Sequence, residues 1–254
     1  MKNYFSVENK NVLITGSTRG IGRNFALGFA EAGARVFING RTEETVCKTV
    51  LDMRNAGLKA ESSVFDVTDG KSIEDAVKKI EKSAGSIDVL INNAGIHKRG
   101  MLKDLSFEDW QAVIDTNLSS AFLVSKYAVR NMIRNKKGKI INITSLMAEA
   151  ARPSTGNYCA AKGGLKMLTK AMASEWGNYN IQVNAIGPGY ILTEMTENLA
   201  ADGEFDAWVK AETPLKRWGK PEDLLGTAIF LASAASDYIT GHTIYVDGGW
   251  FSSL

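Results

Sequence analysis

Seven short apolar runs recur along the chain, and segments with helical spacing separate them. The runs lie at residues 11–15, 35–39, 61–67, 87–92, 139–144, 181–187 and 242–248. Runs that are apolar at consecutive positions are typical of strands buried on both faces of a parallel sheet. Their alternation with helices of ten or more residues predicts right-handed βαβ units. The sequence therefore predicts an α/β fold with an open, doubly wound parallel sheet of about seven strands and helices on both faces.

The composition limits the number of domains and the kinds of partner. No linker rich in proline or serine divides the 254 residues, and there are only four prolines. One domain over residues 1–254 is the simplest interpretation. The formal net charge is +2, which gives no electrostatic reason to expect a nucleic-acid partner.

The cysteines and the lengths of the apolar runs indicate whether a metal site, a membrane segment or an oxidising compartment is to be expected. Cys47 and Cys159 lie far apart and have no metal or redox spacing, so we expect no metal site. Two distant thiols and no recognisable secretory signal predict a cytoplasmic protein. No apolar run approaches the roughly 18 residues that are needed to cross a bilayer, so we expect no membrane partner.

A glycine-rich loop joins the first run to the first helical segment. It reads TGSTRGIG at residues 15–22, with glycines at 16, 20 and 22. In dinucleotide sites, one glycine permits the turn, one lets the backbone approach a pyrophosphate, and one lets the helix pack on the strand. The helix N-terminus then offers free N–H groups to the phosphates. A plain turn is the alternative, but this position favours a dinucleotide cofactor and a Rossmann-type fold.

The end of the second run indicates which dinucleotide is bound. An NAD site usually has an acidic residue there, which binds the ribose 2′-hydroxyl. Here Gly40 is followed by Arg41, and Arg19 lies in the glycine loop. Two guanidiniums without a carboxylate suit a 2′-phosphate, so NADP(H) is preferred over NAD(H), although solvated surface arginines are the alternative. The acidic residues that follow are assigned to the first turn of a helix capped by Thr42.

Two further runs end in residues that fit a nucleotide cleft. Ligands of open sheets bind beyond the carboxyl ends of the strands. Asp66 ends the third run, where its carboxylate is placed to accept a hydrogen bond from the adenine amino group. The fourth run ends in NNAG, whose small residues lie where a coenzyme would cross the sheet edge.

A serine, a tyrosine and a lysine follow the fifth run. Ser145 lies at its carboxyl end, whereas Tyr158 and Lys162 are four residues apart and share one face of a helix. Hydride transfer between a nicotinamide and a carbinol needs a group that takes or gives the hydroxyl proton. A phenol must lose about 3 pKa units to do this near neutral pH, and a neighbouring ammonium favours that change. Each residue alone fits an ordinary buried or solvated side chain, but the combination with the glycine loop predicts catalysis, with Ser145 holding the substrate oxygen.

These motifs resemble those of the short-chain dehydrogenase/reductase family over nearly the whole chain. The matching stretches are TGSTRGIG, the Asp66 strand end, NNAG, DTNLSSAF, Ser145, YCAAK and PGYILT. The resemblance implies a catalytic set in which Asn117 holds a water that relays protons from Lys162. The implied catalytic residues are Asn117, Ser145, Tyr158 and Lys162.

The resemblance also implies how the cofactor is held. Lys162 would bind the nicotinamide ribose, and the PGYILT stretch would flank the nicotinamide. The predicted cofactor-binding residues are Gly16, Ser17, Thr18, Arg19, Gly20, Ile21, Gly22, Asn39, Arg41, Asp66, Val67, Asn93, Ala94, Gly95, Tyr158, Lys162, Pro188, Gly189, Ile191 and Thr193.

Within this family, the chain is similar to gluconate 5-dehydrogenases, also called 5-keto-gluconate reductases. The similar stretches are GIHKR, SLMAEAAR, KGGLKMLTKAMASE, NIQVNAIGPGY and TPLKRWG. The similarity implies a sugar-acid or keto-acid substrate, whose carboxylate Arg99 is suited to bind in bidentate fashion. The predicted substrate-binding residues are Arg99, Ser145, Met147, Glu149, Arg152 and Tyr158. For Arg99 and Arg152, plain surface charges are the alternative.

Two other functions remain open on the sequence alone. A 3-oxoacyl-carrier-protein reductase would share these motifs, and such reductases resemble one another in two arginines that dock the acidic carrier. Arg130 matches the first, but Ser174 stands where the second is expected. A non-catalytic cofactor-binding scaffold would have no need of the complete catalytic set.

Assembly is predicted from the C-terminus. Trp250 and Phe251 follow the last run, and an exposed aromatic pair is typical of a subunit contact. The family resemblance implies a homotetramer.

Overall fold

The computed structural model describes residues 3–253. Its strands are β1 (Asn11–Ile14), β2 (Arg35–Gly40), β3 (Ala60–Val64), β4 (Val89–Asn92), β5 (Gly138–Ile143), β6 (Ile181–Pro188) and β7 (Thr243–Val246). They form one sheet in the order β3-β2-β1-β4-β5-β6-β7, in which every neighbouring pair is parallel. The predicted seven-stranded, doubly wound α/β sheet is confirmed.

Helices connect the strands. They are α1 (Gly20–Glu31), α2 (Glu43–Asn55), α3 (Gly70–Ala84), α4 (Phe107–Ile114), α5 (Ser120–Asn135), α6 (Gly156–Trp176), α7 (Glu197–Ala200), α8 (Gly203–Glu212) and α9 (Leu225–Ala232). A π-helical stretch, Asp115–Ser119, joins α4 to α5. Short 3-10 turns lie at Leu146–Ala148, Gly177–Tyr179, Pro221–Leu224, Ala234–Ser236 and Trp250–Ser253. In the part of the chain described, no helix combines the length and hydropathy that crossing a bilayer requires.

The sheet buries apolar side chains on both faces, which explains why the strand sequences are apolar at consecutive positions. Val12 and Ile14 point to one face, in a cluster that includes Phe25 of α1. Leu13, between them, points to the other face and lies in a cluster that includes Val124 of α5. From β1 the chain adds β2 and β3 toward one edge of the sheet, and it then crosses back to place β4 on the other side of β1. This reversal opens a crevice at the carboxyl ends of β1 and β4, where ligands of such sheets bind.

The end of the third strand was predicted wrongly, and the start of the second helix was predicted correctly in position only. The third strand ends at Val64 rather than at residue 67, because β3 is an edge strand and its pairing with β2 stops at Gly40. Thr42 is the residue before α2, and Glu43 and Glu44 lie in its first turn as predicted, but the Thr42 side chain makes no capping hydrogen bond. Instead, the hydroxyl of Thr45 donates to the carbonyl of Thr42 at 3.0 Å.

The expected exposed aromatic pair at the C-terminus is also wrong. Trp250 is only 6% exposed, and it packs in a cluster with Leu146 and Met147. The ring of Phe251 packs edge-on against Trp250, with centroids 5.4 Å apart. These residues therefore cover the turn that follows β5.

Candidate active site

The glycine loop has the narrow shape that a phosphate cradle requires. Gly16 has a φ of +62°, and a Cβ added there would lie 3.0 Å from the Cα of Ala94. A Cβ on Gly22 would lie 2.4 Å from the carbonyl oxygen of Gly16. No larger residue fits either position without moving backbone, so the loop lies close to both β4 and the start of α1. A pyrophosphate at the N-terminus of α1 fits this arrangement.

Two predicted cofactor residues hold this loop from inside the protein. Asn39 accepts a hydrogen bond from the Gly16 amide at 3.0 Å and donates to the carbonyls of Ser63 and Phe65, both at 3.1 Å. Ser17 accepts from the amide of Asn39 at 2.9 Å. Both side chains are fully buried. They therefore fix the loop to β2 and β3.

Thr15, which sequence reasoning missed, joins the glycine loop to NNAG. Its hydroxyl accepts hydrogen bonds from the amides of Asn93 and Ala94, both at 3.0 Å. The Asn93 side chain donates back to the carbonyls of Thr15 and Gly16 at 2.9 and 3.1 Å. A Cβ on Gly95 would lie 3.3 Å from Oδ1 of Asn117. The two motifs form one rigid unit at the crevice.

The end of β2 carries Gly40 at the position where an NAD site usually has an acidic residue, and side chains pack closely around it. A Cβ on Gly40 would lie 2.9 Å from Val46 and 3.0 Å from Thr18. Arg41 and Arg19 are both exposed. Arg19 lies 3.4 Å from Glu194, but the two side chains are 76% and 64% exposed, so this pair contributes little stability. The site therefore has guanidiniums and no carboxylate at the strand end.

Asp66 lies two residues beyond the end of β3 rather than within it. Its Oδ1 accepts hydrogen bonds from the amide and the hydroxyl of Thr68 at 2.9 and 2.7 Å. Val67 is buried beside it. One carboxylate oxygen of Asp66 is thus engaged in a local turn.

The segment after β6 is also tightly packed. A Cβ on Gly189 would lie 2.6 Å from the Cα of Asp247. Thr193 donates from its amide to the hydroxyl of Thr196 at 3.0 Å, and Ile191 is buried. This segment continues from Pro188 at the carboxyl end of the sheet.

Ser145, Tyr158 and Lys162 meet where β5 ends and α6 begins. Ser145 opens the turn Leu146–Ala148, and its hydroxyl accepts from the amide of Met147 at 3.1 Å. Lys162 is buried, donates to the carbonyl of Ile143 at 2.7 Å, and lies 5.6 Å from the centroid of the Tyr158 ring. The structure therefore brings the predicted serine, tyrosine and lysine together.

Burial shifts both titrating groups toward their neutral forms. Burial raises the pKa of Tyr158 to about 12, although a hydrogen bond with Ser145 acts in the opposite direction. Burial lowers the pKa of Lys162 to about 8. The expected lowering of the phenol pKa by Lys162 is therefore not seen in the protein alone, where the ammonium is held by Ile143.

Asn117 lies in the π-helical stretch between α4 and α5. The amide of Ser120 bonds the carbonyl of Asp115, five residues earlier, and such π turns are frequent at functional sites. Oδ1 of Asn117 accepts from the amide of Ile96, and Nδ2 donates to its carbonyl, both at 2.8 Å. The side chain thus fixes the loop that follows NNAG.

Two arginines from different loops lie near each other, and Arg99 is exposed whereas Arg152 is half-buried. Arg152 lies over the rings of Phe205 and Trp208, 4.4 and 4.7 Å from their centroids, and donates to the hydroxyl of Tyr190 at 3.3 Å. Burial, and next the charge of Arg152, lower the pKa of Arg99. Among residues 3–253, no carboxylate forms an ion pair with either guanidinium. The cleft therefore contains two neighbouring positive charges without a counter-charge.

The other two residues between Ser145 and Tyr158 are less open to the cleft. Met147 is 8% exposed and packs in the cluster with Trp250. The Glu149 carboxylate pairs with Lys166 and accepts from the hydroxyl of Tyr245 at 2.9 Å. The hydrogen bond from Lys166 is the main cause of its lowered pKa. Glu149 thus connects this loop to α6 and β7.

Sequence reasoning missed three residues that line the same cleft. The ring of His97 stacks on that of Tyr158, with centroids 4.7 Å apart. Tyr190 and Trp208 surround Arg152. Tyr190 lies inside the motif PGYILT, from which it could have been predicted. Trp208 lies in α8, which contains none of the motifs.

Comparison with known proteins identifies relatives over the whole fold. A family profile described as Enoyl-(Acyl carrier protein) reductase matches residues 16–251. The 2-dehydro-3-deoxy-D-gluconate 5-dehydrogenase of Formosa agariphila is 47% identical, over 98% of this chain and 96% of that protein. The 5-keto-D-gluconate 5-reductase of Escherichia coli K12 is 45% identical, over 98% of both chains.

A solved structure agrees with these relatives. A gluconate 5-dehydrogenase from Burkholderia cenocepacia, in complex with NADP and tartrate, superposes with a TM-score of 0.97. The two chains are 44% identical, and the match covers 99% of this chain and 98% of the Burkholderia chain. A 3-oxoacyl-[acyl-carrier-protein] reductase of Chlamydia muridarum is less similar, at 42% identity over 95% of this chain and 97% of that protein. The chain is an oxidoreductase and belongs to the short-chain dehydrogenase/reductase family.

Proposed function

We propose that the protein is an NADP(H)-dependent enzyme that transfers a hydride between the nicotinamide and a secondary alcohol or ketone of a sugar acid. Gluconate and 5-keto-gluconate are the substrates we favour. The observation that carries this proposal is the pair Arg99 and Arg152, which form no ion pair with a carboxylate in the described chain. A substrate carboxylate supplies the missing charge, and a guanidinium binds it well.

The proposed coenzyme site uses the motifs at the carboxyl ends of the strands. The loop at Gly16 and Gly22 holds the pyrophosphate, with Ser17 and Asn39 fixing the loop. Arg19 and Arg41 bind the 2′-phosphate, which their exposed guanidiniums and the glycine in place of an acidic residue at position 40 favour. When bound, the coenzyme supplies or accepts the hydride. Its remaining contacts are the other cofactor residues predicted above.

The proposed proton transfer takes place at the phenol of Tyr158. In reduction the hydroxyl gives its proton to the substrate oxygen, and in oxidation the phenolate takes it back. Ser145, on the same side of the cleft, holds that oxygen. Lys162 stabilises the phenolate and binds the coenzyme ribose. Asn117 fixes the adjacent loop and serves the proton relay.

The carboxylate end of the substrate is assigned to the two arginines. Arg152 is oriented by Phe205 and Trp208, whose faces attract the guanidinium without neutralising it. Met147 and Glu149 lie in the same loop as Arg152, and they support it by packing with Trp250 and by accepting a hydrogen bond from Tyr245. The names of the relatives above describe reactions at position 5 of gluconate-type sugar acids, which supports this assignment. A carrier-bound acyl chain has no carboxylate for the arginines.

The experiment compares wild type with Arg99→Ala in NADPH-dependent reduction. We expect 5-keto-D-gluconate to be reduced with a kcat/KM well above that of a neutral ketone and of a β-ketoacyl thioester. Arg99→Ala should raise KM for the keto acid about 10- to 100-fold, because a charged hydrogen bond is lost. KM for the neutral ketone should remain unchanged.

The matched control is Arg134→Ala, which removes an exposed charge at the last turn of α5, away from the cleft. Equal effects of the two substitutions on KM would contradict the carboxylate site. Replacing NADPH by NADH in the same assays tests the coenzyme, and equal affinity would remove the roles given to Arg19 and Arg41. A 2-dehydro-3-deoxy-D-gluconate assay decides between the two kinds of sugar acid.

We also propose a cytoplasmic homotetramer in which each chain forms one domain. Both cysteines are free thiols, which suits a reducing compartment. Exposed apolar side chains on α5 and α6, Phe122 and Met167, favour a subunit contact there.

A further inference from the structure

His97 is held in a defined position beside the proposed proton donor. It follows Ile96, whose amide and carbonyl are both bonded by Asn117. Its ring lies nearly parallel to that of Tyr158, with an interplanar angle of 18°. The neighbouring Lys98 carbonyl accepts from the side chain of Asn157 at 2.9 Å. The neighbouring backbone of His97 is thus held by hydrogen bonds, and its ring is held by stacking on Tyr158.

The two ring nitrogens of His97 have different surroundings. Nδ1 is buried and has no hydrogen-bond partner in the described part of the chain. A buried N–H without an acceptor is rarer in proteins than a buried acceptor without a donor, so this position favours the tautomer that carries its proton on Nε2. The residue as a whole is only partly buried.

The ring is also neutral under physiological conditions. Burial, and next the charge of Arg99, lower the pKa of His97 to about 4. At neutral pH, the ring therefore offers one N–H donor and no charge. Such a group is suited to a hydroxyl, whereas the arginines are suited to a carboxylate.

We propose that His97 is a substrate-binding residue whose Nε2–H donates to a hydroxyl on a carbon next to the reacting one, so that the cleft selects polyhydroxy substrates. The proposal rests on the proposed function, in which the reacting carbon lies at Tyr158 and the substrate is a sugar acid. The substrate is then recognised at two places, by the arginines at its carboxylate and by His97 beside the reacting carbon. A substrate without this hydroxyl leaves the N–H unpaired, which a polar site rejects strongly.

Two substitutions distinguish the proposed hydrogen-bonding role of His97 from a purely structural role, because the two roles predict opposite orders of activity. His97→Phe keeps a flat ring against Tyr158 and removes the donor. His97→Gln removes the stacked ring and keeps an N–H donor. Recognition of a hydroxyl requires Gln to retain more activity than Phe, whereas simple packing requires the reverse.

The test uses a matched pair of keto acids. 5-Keto-D-gluconate and 5-oxohexanoate share six carbons, a carboxylate and a ketone at position 5, and only the first has hydroxyls. His97→Phe should lower kcat/KM for 5-keto-D-gluconate about 10- to 100-fold and change that for 5-oxohexanoate less than about 3-fold. His97→Gln should recover part of the loss. Equal losses on both keto acids, or no loss on either, overturn the proposal.

Binding and folding are measured separately from turnover. Fluorescence titration with NADPH and thermal unfolding should give the same values for wild type and both variants. The rise in unfolding temperature caused by saturating 5-keto-D-gluconate should be smaller in His97→Phe, because fewer substrate contacts remain. An unchanged rise in that variant counts against the proposal.

A second pair separates this inference from the proposed function. Hydroxyacetone and butanone differ mainly in one hydroxyl, and neither carries a carboxylate. If wild type shows no preference for keto acids over these ketones, the proposed function fails. His97 is then judged on this pair alone: a selective loss on hydroxyacetone in His97→Phe supports the proposal, and an equal loss on both ketones overturns it.

Discussion

At the scale of single residues, Tyr158 and Lys162 show what the protein alone contributes to proton transfer. Burial raises the pKa of the phenol to about 12 and lowers that of the ammonium to about 8. A positive charge that enters the cleft lowers the pKa of both groups. The protein therefore holds the tyrosine protonated, as a donor for reduction, until such a charge favours the phenolate.

The raised pKa of Tyr158 predicts an unusual titration in the coenzyme-free protein. Ordinary tyrosines ionise near pH 10, but the folded protein binds the Tyr158 proton more tightly than the unfolded chain does. Between pH 9 and 11, wild type and Tyr158→Phe should show the same phenolate absorbance change per molecule. One additional tyrosine ionising near pH 10 in wild type would contradict the shift. Turnover by Tyr158→Phe should be abolished, with NADPH binding retained.

At the scale of elements, the glycine loop depends on close approach between neighbouring strands and α1. Thr15 bonds to NNAG, Asn39 bonds to the loop, and Gly22 lies against the carbonyl of Gly16. These contacts belong to three different strand ends. The shape of the coenzyme site therefore depends on how closely α1 packs on the sheet.

This packing predicts different outcomes for two glycine substitutions. Gly22→Ala places a methyl 2.4 Å from the Gly16 carbonyl, so the loop must shift and NADPH affinity should fall at least about 10-fold. Gly226→Ala, inside α9, meets nothing within 4 Å. It should leave affinity unchanged and stabilise the fold by about 0.5–1 kcal/mol. Fluorescence titration and chemical denaturation measure the two effects, and similar affinities for both variants would show that the loop tolerates movement.

The sequence predicted the elements well and their ends less well. All seven strands were located, because consecutive apolar residues mark a sheet buried on both faces. The third strand was predicted too long because periodicity does not reveal an edge, where residues 65–67 have no partner strand. The cap at Thr42 was predicted from residue type alone, and a cap depends on the side-chain rotamer.

At the scale of the whole molecule, the site residues fall into two groups: those that the strand pattern predicts and those that only long-range packing brings to the site. Those at strand ends, such as Gly16, Asn93 and Ser145, were predicted because parallel strands bring their carboxyl ends to one edge. Trp208 and the buried position of Trp250 were not predicted. They pack with residues after β5 that lie far away in sequence, and no local pattern reveals such contacts.

The proposed tetramer has a direct test. Light scattering with size-exclusion chromatography should give about four times the 27.6 kDa of one chain. The double substitution of Phe122 and Met167 by Lys should reduce this mass, because it charges an apolar surface on α5 and α6. The control is Leu51→Lys on α2, which is exposed to the same 59% as Met167 and should leave the mass unchanged. Equal masses for all three proteins would place the contact elsewhere.

The bond from Lys162 to the Ile143 carbonyl has a consequence for how such enzymes diverge. It ties α6 directly to β5, in addition to the contacts that the stretch at residues 146–155 makes with α6. That stretch carries Met147, Glu149 and Arg152 and can change its sequence while the reaction chemistry is retained. A change of substrate can therefore be sought in this loop together with Arg99 and His97 after β4, while the tie between α6 and β5 keeps the tyrosine and lysine in place.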